Sequence, residues 1–269
     1  MKKLALCIVA STVLLSNFSL AKSFENKYFK DGYSFRLEGL SSIVSVNKSN
    51  TIATGQLLSD GAGNVIGNGS FRSSGITCVG SIAGTYKIEP NGFGLISTTI
   101  STKTPGCSSQ QVNLEMVLSD QGVVVDVASS DNHDMVGKLT RHGKEKFNYG
   151  DLNGAYAMHL EGTSAIVSSE QSFTTILGVL AANGNGLIGG TGLLRSSGVV
   201  CHGIFSGTYV LLVNGTGSIL TKFTPTDPGC YTRHVNLNIA LYKKGNGVEI
   251  SSSDNDYLTG SLGHQFPKK

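Results

Sequence analysis

The chain repeats itself at a constant offset of 123 positions, and this duplication constrains the fold more than any other feature. From Tyr33 to Leu139, and in the copy from Tyr156 to Leu262, roughly two positions in five are identical, which is typical of a repeat architecture. The matching motifs include Arg72-Ser73-Ser74-Gly75 with Arg195-Ser196-Ser197-Gly198, and Pro105-Gly106-Cys107 with Pro228-Gly229-Cys230. We therefore predict two domains of one kind, residues 22–143 and residues 144–269, each large enough to bury its own core.

The first 21 residues have the features of a secretory signal peptide. A basic start, Met1-Lys2-Lys3, precedes an apolar stretch from Leu4 to Leu20, and Ser19-Leu20-Ala21 supplies the small residues that a signal peptidase reads. We expect cleavage after Ala21 and export to the periplasm or the extracellular space. No later segment has the uninterrupted apolar run of a membrane helix, so no transmembrane segment is predicted.

The charge is close to balanced. The formal net charge is +3, and removal of Lys2 and Lys3 leaves 19 basic and 18 acidic side chains. Scattered, balanced charge lacks the basic patch that nucleic acid or an anionic membrane requires, so neither is an expected partner.

Alternating apolar and polar residues predict an all-β structure with about eight short strands in each repeat. Val112, Leu114, Met116 and Leu118 share one face of such a strand, with Asn113 and Glu115 on the other. Turn signals such as Asp60-Gly61 and Asn91-Gly92 recur about every ten residues, as in antiparallel barrels or sandwiches.

One strand favours the barrel over the sandwich. Its predicted inner face reads Cys78, Gly80, Ile82, Gly84, Tyr86 and Ile88, and its copy reads Cys201, Gly203, Phe205, Gly207, Tyr209 and Leu211. Glycines that alternate with large apolar residues suit a strongly coiled sheet. We therefore predict two tandem up-and-down antiparallel β-barrels, with a flatter sandwich as the alternative.

The four cysteines that follow the signal peptide predict two disulfides, Cys78 with Cys107 and Cys201 with Cys230. Each pair is 29 residues apart, and an even, duplicated set in an exported protein is typical of disulfides. Predicted strands 79–88 and 93–102 meet at an Asn-Gly turn, and the hairpin brings the first pair together at its open end. The alternative, zinc binding, lacks Cys-x-x-Cys spacings and nearby histidines.

Two stretches of the second copy resemble a pattern in exported bacterial proteins of unassigned function. They are the segment 152–162, LNGAYAMHLEG, and the segment 205–217, FSGTYVLLVNGTG. Gly154-Ala155-Tyr156 is also similar to the Gly-x-Trp opening of lipocalin-type (calycin) barrels, with tyrosine in place of tryptophan and Asp31 at the position of Gly154 in the first copy. The calycin resemblance implies an eight-stranded barrel with an apolar interior, and it supplies no catalytic residue.

No residue pattern predicts a catalytic, metal or cofactor site. None of the histidines is duplicated, although a site confined to the second copy would use His159, His202 or His234. The candidate binding residues are two interior tyrosines and the arginines and aspartates present in both copies: Tyr86, Tyr209, Arg72, Arg195, Asp131 and Asp254. The arginines precede Ser-Ser-Gly turns and are expected to clamp a loop, to pair with the aspartates, or to bind an anion or a sugar hydroxyl.

Three classes of function remain open. The first is a non-catalytic interaction or structural protein of the cell envelope or the secreted fraction, with a protein or surface partner. The second is a carrier of a small apolar ligand inside a barrel, lined by Tyr86 and Tyr209. The third is an enzyme on such a barrel, an isomerase or a hydrolase, for which the sequence provides no constellation.

Overall fold

The computed structural model describes residues 23–43, 47–142, 146–165, 171–254 and 256–266, so the predicted signal peptide lies outside the described residues. The chain forms two closed antiparallel barrels of eight strands each, which confirms the predicted fold class and excludes the sandwich. The first barrel contains β1 (Lys30–Ser41), β2 (Ser49–Asp60), β3 (Asn64–Ser73), β4 (Ile76–Ile88), β5 (Phe93–Thr102), β6 (Gln110–Ser119), β7 (Val124–Ser129) and β8 (Asp134–Arg141). The second contains β9 (Asn153–Ser164), β10 (Ser172–Asn183), β11 (Leu187–Ser196), β12 (Val199–Leu211), β13 (Thr216–Pro225), β14 (Arg233–Tyr242), β15 (Gly247–Ser252) and β16 (Tyr257–His264).

Four short 3-10 helices complete the described elements, at Asn26–Tyr28, Asp120–Gly122, Tyr149–Asp151 and Lys243–Gly245. Each strand pairs with the next along the chain, and each barrel closes by pairing its last strand with its first. Tyr33 of β1 is opposite Arg141 of β8, and Tyr156 of β9 is opposite His264 of β16. Among the described residues, no helix is long and apolar enough to cross a membrane.

Glycine allows neighbouring strands to approach closely in the middle of each barrel. A Cβ atom on Gly84 of β4 would lie 2.0 Å from the carbonyl oxygen of Ser97, and one on Gly207 of β12 would lie 2.0 Å from that of Leu220. No side chain fits at that distance, so the alternating glycines permit the tight coiling that the sequence pattern predicts.

The inner faces of the strands form two separate cores, one inside each barrel. Phe35 and Phe71 meet inside the first barrel, with ring centroids 6.4 Å apart, and Phe205 and Phe223 meet inside the second at 4.9 Å. Burying a side chain of this size stabilises the fold by about 1.5–3 kcal/mol, so each barrel has an independent source of stability.

The disulfides form as predicted at the open end of each central hairpin. The Cα atoms are 5.9 Å apart in both Cys78–Cys107 and Cys201–Cys230. A crosslink that closes a loop of this size stabilises the fold by about 3–4 kcal/mol in the chain-entropy account. Disulfides persist in oxidising compartments, which agrees with a location outside the cytoplasm.

The two barrels contact each other through different faces. The first barrel uses the outer face of β1–β3, which we call the docking face: Ser34, Arg36, Glu38, Thr54, Gln56, Ser70 and Arg72. The second uses the outer face of β14–β16 with the β15–β16 turn, which we call the receiving face: Asn238, Glu249, Ser251, Ser253, Thr259 and the backbone carbonyl of Leu241, whose side chain lies in the barrel core.

Hydrogen bonds across this interface join groups that are far apart in sequence. Thr54 Oγ1 and Ser251 Oγ are 2.9 Å apart, and Asn238 Nδ2 donates to Ser70 Oγ at 3.0 Å. Thr54 and Ser251 are both buried, so polar outer faces are shielded from water where the barrels meet.

Candidate binding groove between the barrels

A groove lies beside this interface, between the outer face of β2–β4 in the first barrel and the β12–β13 hairpin of the second. It has two sections, of about 650 Å³ and about 220 Å³, which share the lining residue Asn68. The larger section lies within the 300–1,000 Å³ that is usual for ligand sites. Its lining includes Gln56, Leu58, Ile66, Asn68, Ser81, Ala83, His142, Lys146 and Asn214.

Strand register arranges the first-barrel wall of the groove in parallel rows. Leu58 of β2 is opposite Ile66 of β3, which is opposite Ala83 of β4, and these three residues make an apolar row. The side chains of Leu58 and Ile66 are exposed by 49% and 58%. Such a row on a sheet surface offers contact to apolar groups of a partner.

The next row, two residues along each strand, is polar. Gln56 is opposite Asn68, and Asn68 is opposite Ser81. Side-chain amides carry both hydrogen-bond donors and an acceptor, as peptide groups do. Asn68 and Ser81 of this amide row are exposed, whereas Gln56 is buried and donates to the carbonyl of Leu241 at 3.3 Å. The apolar row beside the exposed part of the amide row complements a ligand that alternates apolar groups with amides or hydroxyls.

The opposite wall is the β12–β13 hairpin, which turns at Asn214-Gly215 as the sequence pattern indicates. Gly215 has a φ of 85°, and a Cβ atom there would lie 2.4 Å from Gln56 Nε2. Glycine therefore satisfies both the turn and the close approach of the hairpin tip to the first barrel. Val210 and Leu212 line the second section of the groove.

The groove carries little charge. Of the described lining residues, only His142 and Lys146 can become positively charged, and both come from the segment that joins the barrels. His142 is buried and its ring meets Phe147 edge-on, with centroids 5.3 Å apart. Binding in this groove would depend mainly on apolar contact and neutral hydrogen bonds.

The predicted interior tyrosines lie near one end of each barrel. The Tyr86 hydroxyl donates to the carbonyl of Phe29 at 2.8 Å, and the Tyr209 hydroxyl donates to that of Leu152 at 2.9 Å. Burial raises the pKa of both hydroxyls. These bonds hold the short segments that precede β1 and β9 against the barrels.

The interior of the first barrel offers little free space. A cavity of about 30 Å³ is surrounded by apolar side chains that include Phe35, Phe71 and Ile82. This volume is comparable with the space that a single water molecule occupies in the liquid.

The predicted aspartates organise turns. Asp131 accepts hydrogen bonds from the backbone amides of Asn113 and His133, and Asp254 accepts one from Asn236 at 2.9 Å. Each carboxylate therefore ties the turn between the last two strands of its barrel to a neighbouring strand.

The predicted arginines differ between the copies. Arg72 is buried and donates to the carbonyl of Ser253 in the second barrel at 3.0 Å, whereas Arg195 is exposed. Burial lowers the pKa of Arg72, and the nearby carboxylates of Asp254 and Asp256 offset this effect. Arg72 thus clamps the β15–β16 turn of the other barrel.

Two buried carboxylates near the interface were not recognised in the sequence. Burial, followed by repulsion from Asp254, raises the pKa of Asp256 to about 6. Burial also raises the pKa of Glu249, although Arg36 lies 3.9 Å away. Asp256 corresponds to His133 in the first copy, and this mismatch between the copies is a signal for it. Glu249 corresponds to another carboxylate, Asp126, so its burial follows only from the contact between the barrels.

The histidines that sequence analysis left open for a second-copy site lie apart from the groove. His202 Nδ1 is 2.8 Å from Asp227 on the surface, and His159 is 4.0 Å from Glu161. His234 is exposed on β14. No group of three or more histidine, cysteine or carboxylate side chains among the described residues is arranged to hold a metal ion.

Comparison with known proteins assigns no family to this architecture: no protein-family model matches the chain, and a search of curated proteins finds no match.

Proposed function

We propose that the protein is an exported, non-catalytic interaction protein of the cell envelope or the secreted fraction, which binds an extended segment of a partner protein in the groove between its barrels. The observation that carries the proposal is the pairing of an apolar row with an amide row across β2–β4. A peptide in extended conformation presents main-chain amides and alternating side chains, which match those two rows.

The dimensions support a short extended segment. The groove follows β3 from Ile66 to Ser70, which are four residues apart, and this corresponds to about 13 Å along the strand. That length accommodates about four residues of an extended peptide. The near-neutral groove favours a segment without clustered charge.

The outer surface supports this function better than the barrel interior does. An engineered cavity that binds a benzene-sized ligand has about 150 Å³, several times the cavity of the first barrel. A carrier of a small apolar ligand would need more room than that interior offers.

The test is selection of short linear peptides on the purified protein. A displayed library of random decapeptides is selected against the native chain, and the enriched peptides are then measured against two variants. Ile66→Glu places a charge in the apolar row, and Leu187→Glu is the matched control, because Leu187 is also 58% exposed but lies outside the groove.

We expect enriched peptides to lose at least about tenfold in affinity to Ile66→Glu and to bind Leu187→Glu unchanged. Peptides that bind all three proteins equally, or a library that yields no binder, would contradict a peptide-binding groove.

A further inference from the structure

The interface between the two barrels is heterologous, because the first barrel contributes one kind of face and the second barrel another. Each repeat has the same fold, so each barrel also carries a copy of the face that it does not use. The second barrel has a docking-face copy on β9–β11, and the first barrel has a receiving-face copy on β6–β8. Heterologous contacts have no built-in end, so an unused pair of faces is available for another subunit.

The two unused faces are open to solvent and partly apolar. Leu177 and Val179 on the docking-face copy are 43% and 39% exposed, whereas their counterparts Thr54 and Gln56 are buried. On the receiving-face copy, Val136 is 56% exposed, although its counterpart Thr259 is buried in the interface. Apolar side chains have thus replaced polar ones on both unused faces.

The replacements on the two unused faces complement each other when the faces are paired as the barrels are within a chain. Thr54 meets Ser251 in the interface between the barrels, and the corresponding residues of the unused faces are Leu177 and Ala128. A hydroxyl pair has therefore become an apolar pair on both sides together. Burial of such a pair is favourable, whereas a change on one side only would leave an unsatisfied hydroxyl.

The charges also match. Arg36 faces Glu249 at 3.9 Å, and the corresponding residues of the unused faces are His159 and Asp126, which are again potentially basic and acidic. Both of these side chains are exposed. A docked pair of faces would therefore place the imidazole of His159 within reach of the carboxylate of Asp126, which can accept a hydrogen bond from it.

A third contact, from Arg72, ends on a backbone carbonyl. It therefore does not depend on which side chain the accepting residue carries. Arg72 donates to the carbonyl of Ser253, and Arg195 has the equivalent place opposite Ser130. Four interface contacts have no direct counterpart. Two of them end on the carbonyl of Leu241, and their donors Ser34 and Gln56 correspond to Ala157 and Val179. Glu115 and Leu193 stand in place of the hydrogen bond from Asn238 to Ser70, and Val136 and Glu161 stand in place of the bond from Thr259 to Glu38.

We propose that the protein assembles head to tail, with β9–β11 of one chain docked on β6–β8 of the next in the arrangement that joins the two barrels within a chain. The partner is a second copy of this chain. The contact is independent of the peptide groove proposed above. Because the contact is heterologous, the assembly is a ring or a filament rather than a twofold dimer.

Two variants test the proposal, one for each unused face. Leu177→Asp places a carboxylate on the docking-face copy, where it would face the apolar Ala128, and Val136→Asp places one on the receiving-face copy. Leu220→Asp is the matched control, because Leu220 is 52% exposed on β13 and belongs to neither face. Light scattering after size-exclusion chromatography gives the mass of each protein over a range of concentrations, and circular dichroism verifies the fold of each variant.

We expect the native chain and Leu220→Asp to form species larger than a dimer. Each face variant should stay monomeric up to concentrations at least about tenfold above those at which the native chain dissociates. An equimolar mixture of the two face variants retains one intact face of each kind and should therefore give a heterodimer and nothing larger. A native chain that remains monomeric at millimolar concentration overturns the proposal. So does an oligomer that only one of the two face variants disrupts, since that pattern belongs to a twofold contact.

Discussion

Strands β2 and β10 hold the same position in their barrels, but their outer faces differ. The outer face of β2 is polar and buried against the other barrel through Thr54 and Gln56. The outer face of β10 carries Leu177 and Val179 and is open to solvent. Their inner faces, by contrast, are both buried and apolar, with Leu57 in β2 and Leu180 in β10. Duplication has thus preserved the inside of the barrel, which determines the fold, while the outside has changed with its neighbours.

Glycine substitutions test the preserved interior and should have the largest effect. Gly84→Ala and Gly207→Ala each put a Cβ atom 2.0 Å from a backbone oxygen of the adjacent strand. We expect each to lower the free energy of unfolding by more than about 4 kcal/mol, equally in the two barrels, as measured by chemical denaturation. Gly263→Ala is the control and should be nearly neutral, since nothing lies within 4 Å of a Cβ atom at that position. A large difference between Gly84→Ala and Gly207→Ala would break the equivalence of the interiors.

The duplicated arginines test the diverged exterior. Arg72→Ala removes a buried cation from the carbonyl of Ser253 and from the nearby Asp254 and Asp256, and we expect a loss of about 3 kcal/mol. Arg195→Ala, at the equivalent exposed position, should change the unfolding free energy by less than about 0.5 kcal/mol. Equal losses in denaturant titrations of the two variants would show that Arg72 has no special role between the barrels.

The buried carboxylate Asp256, which lies beside the interface, makes the stability of the fold depend on pH. Its pKa in the folded protein, about 6, lies above the ordinary aspartate value of 3.8, so the folded state binds a proton more tightly than the unfolded chain does. The unfolding free energy contributed by this group therefore falls as pH rises from about 4 to about 6 and is level above that range.

Asp256→Asn should remove the part of the slope that Asp256 contributes, leave the part from Glu249, whose pKa burial also raises, and raise the unfolding free energy at pH 7 by about 1–2 kcal/mol after allowance for solvent screening. Asparagine retains the oxygen that accepts the backbone amide of Ala165 at 3.0 Å. Thermal melts of the native chain and the variant between pH 4 and pH 8 measure the effect. A variant that is less stable than the native chain at pH 7 would contradict the prediction.

The smallest expected effect concerns the two β strands compared above. Thr54→Ala breaks the buried hydrogen bond to Ser251 and should cost about 1 kcal/mol. Leu177→Ala shortens an exposed side chain and should change the unfolding free energy of the monomer by less than about 0.5 kcal/mol. Denaturation at low protein concentration keeps self-association out of the measurement. If both variants lose the same unfolding free energy, the burial of the outer face of β2 adds no stability that the exposed face of β10 lacks.

The fold was predictable because it is encoded in local and duplicated patterns. Alternation in segments such as 112–118 indicates strands, and Asn91-Gly92 marks the hairpin that brings Cys78 to Cys107. The inner-face glycines separated the barrel from the sandwich, and the close approach at Gly84 shows why.

The candidate site was not predictable in the same way. Arg72 and Ser253 meet across 181 positions of sequence, and no local pattern indicates which outer faces of two barrels will come together. The groove depends on that contact, because its walls belong to different barrels. Tyr86 was correctly assigned to the inner face of its strand, but the alternation could not show that its hydroxyl would reach the carbonyl of Phe29 at the barrel end.

Closure of each barrel by its own first and last strands has a consequence for how such a chain can grow. Because β1 lies beside β8, and β9 beside β16, the polypeptide enters and leaves each unit at neighbouring places on its rim. A further unit fused to either terminus would therefore interrupt no existing strand pairing. A gene of this kind can lengthen by whole modules, and each addition leaves the hydrogen-bonded framework of its predecessors intact.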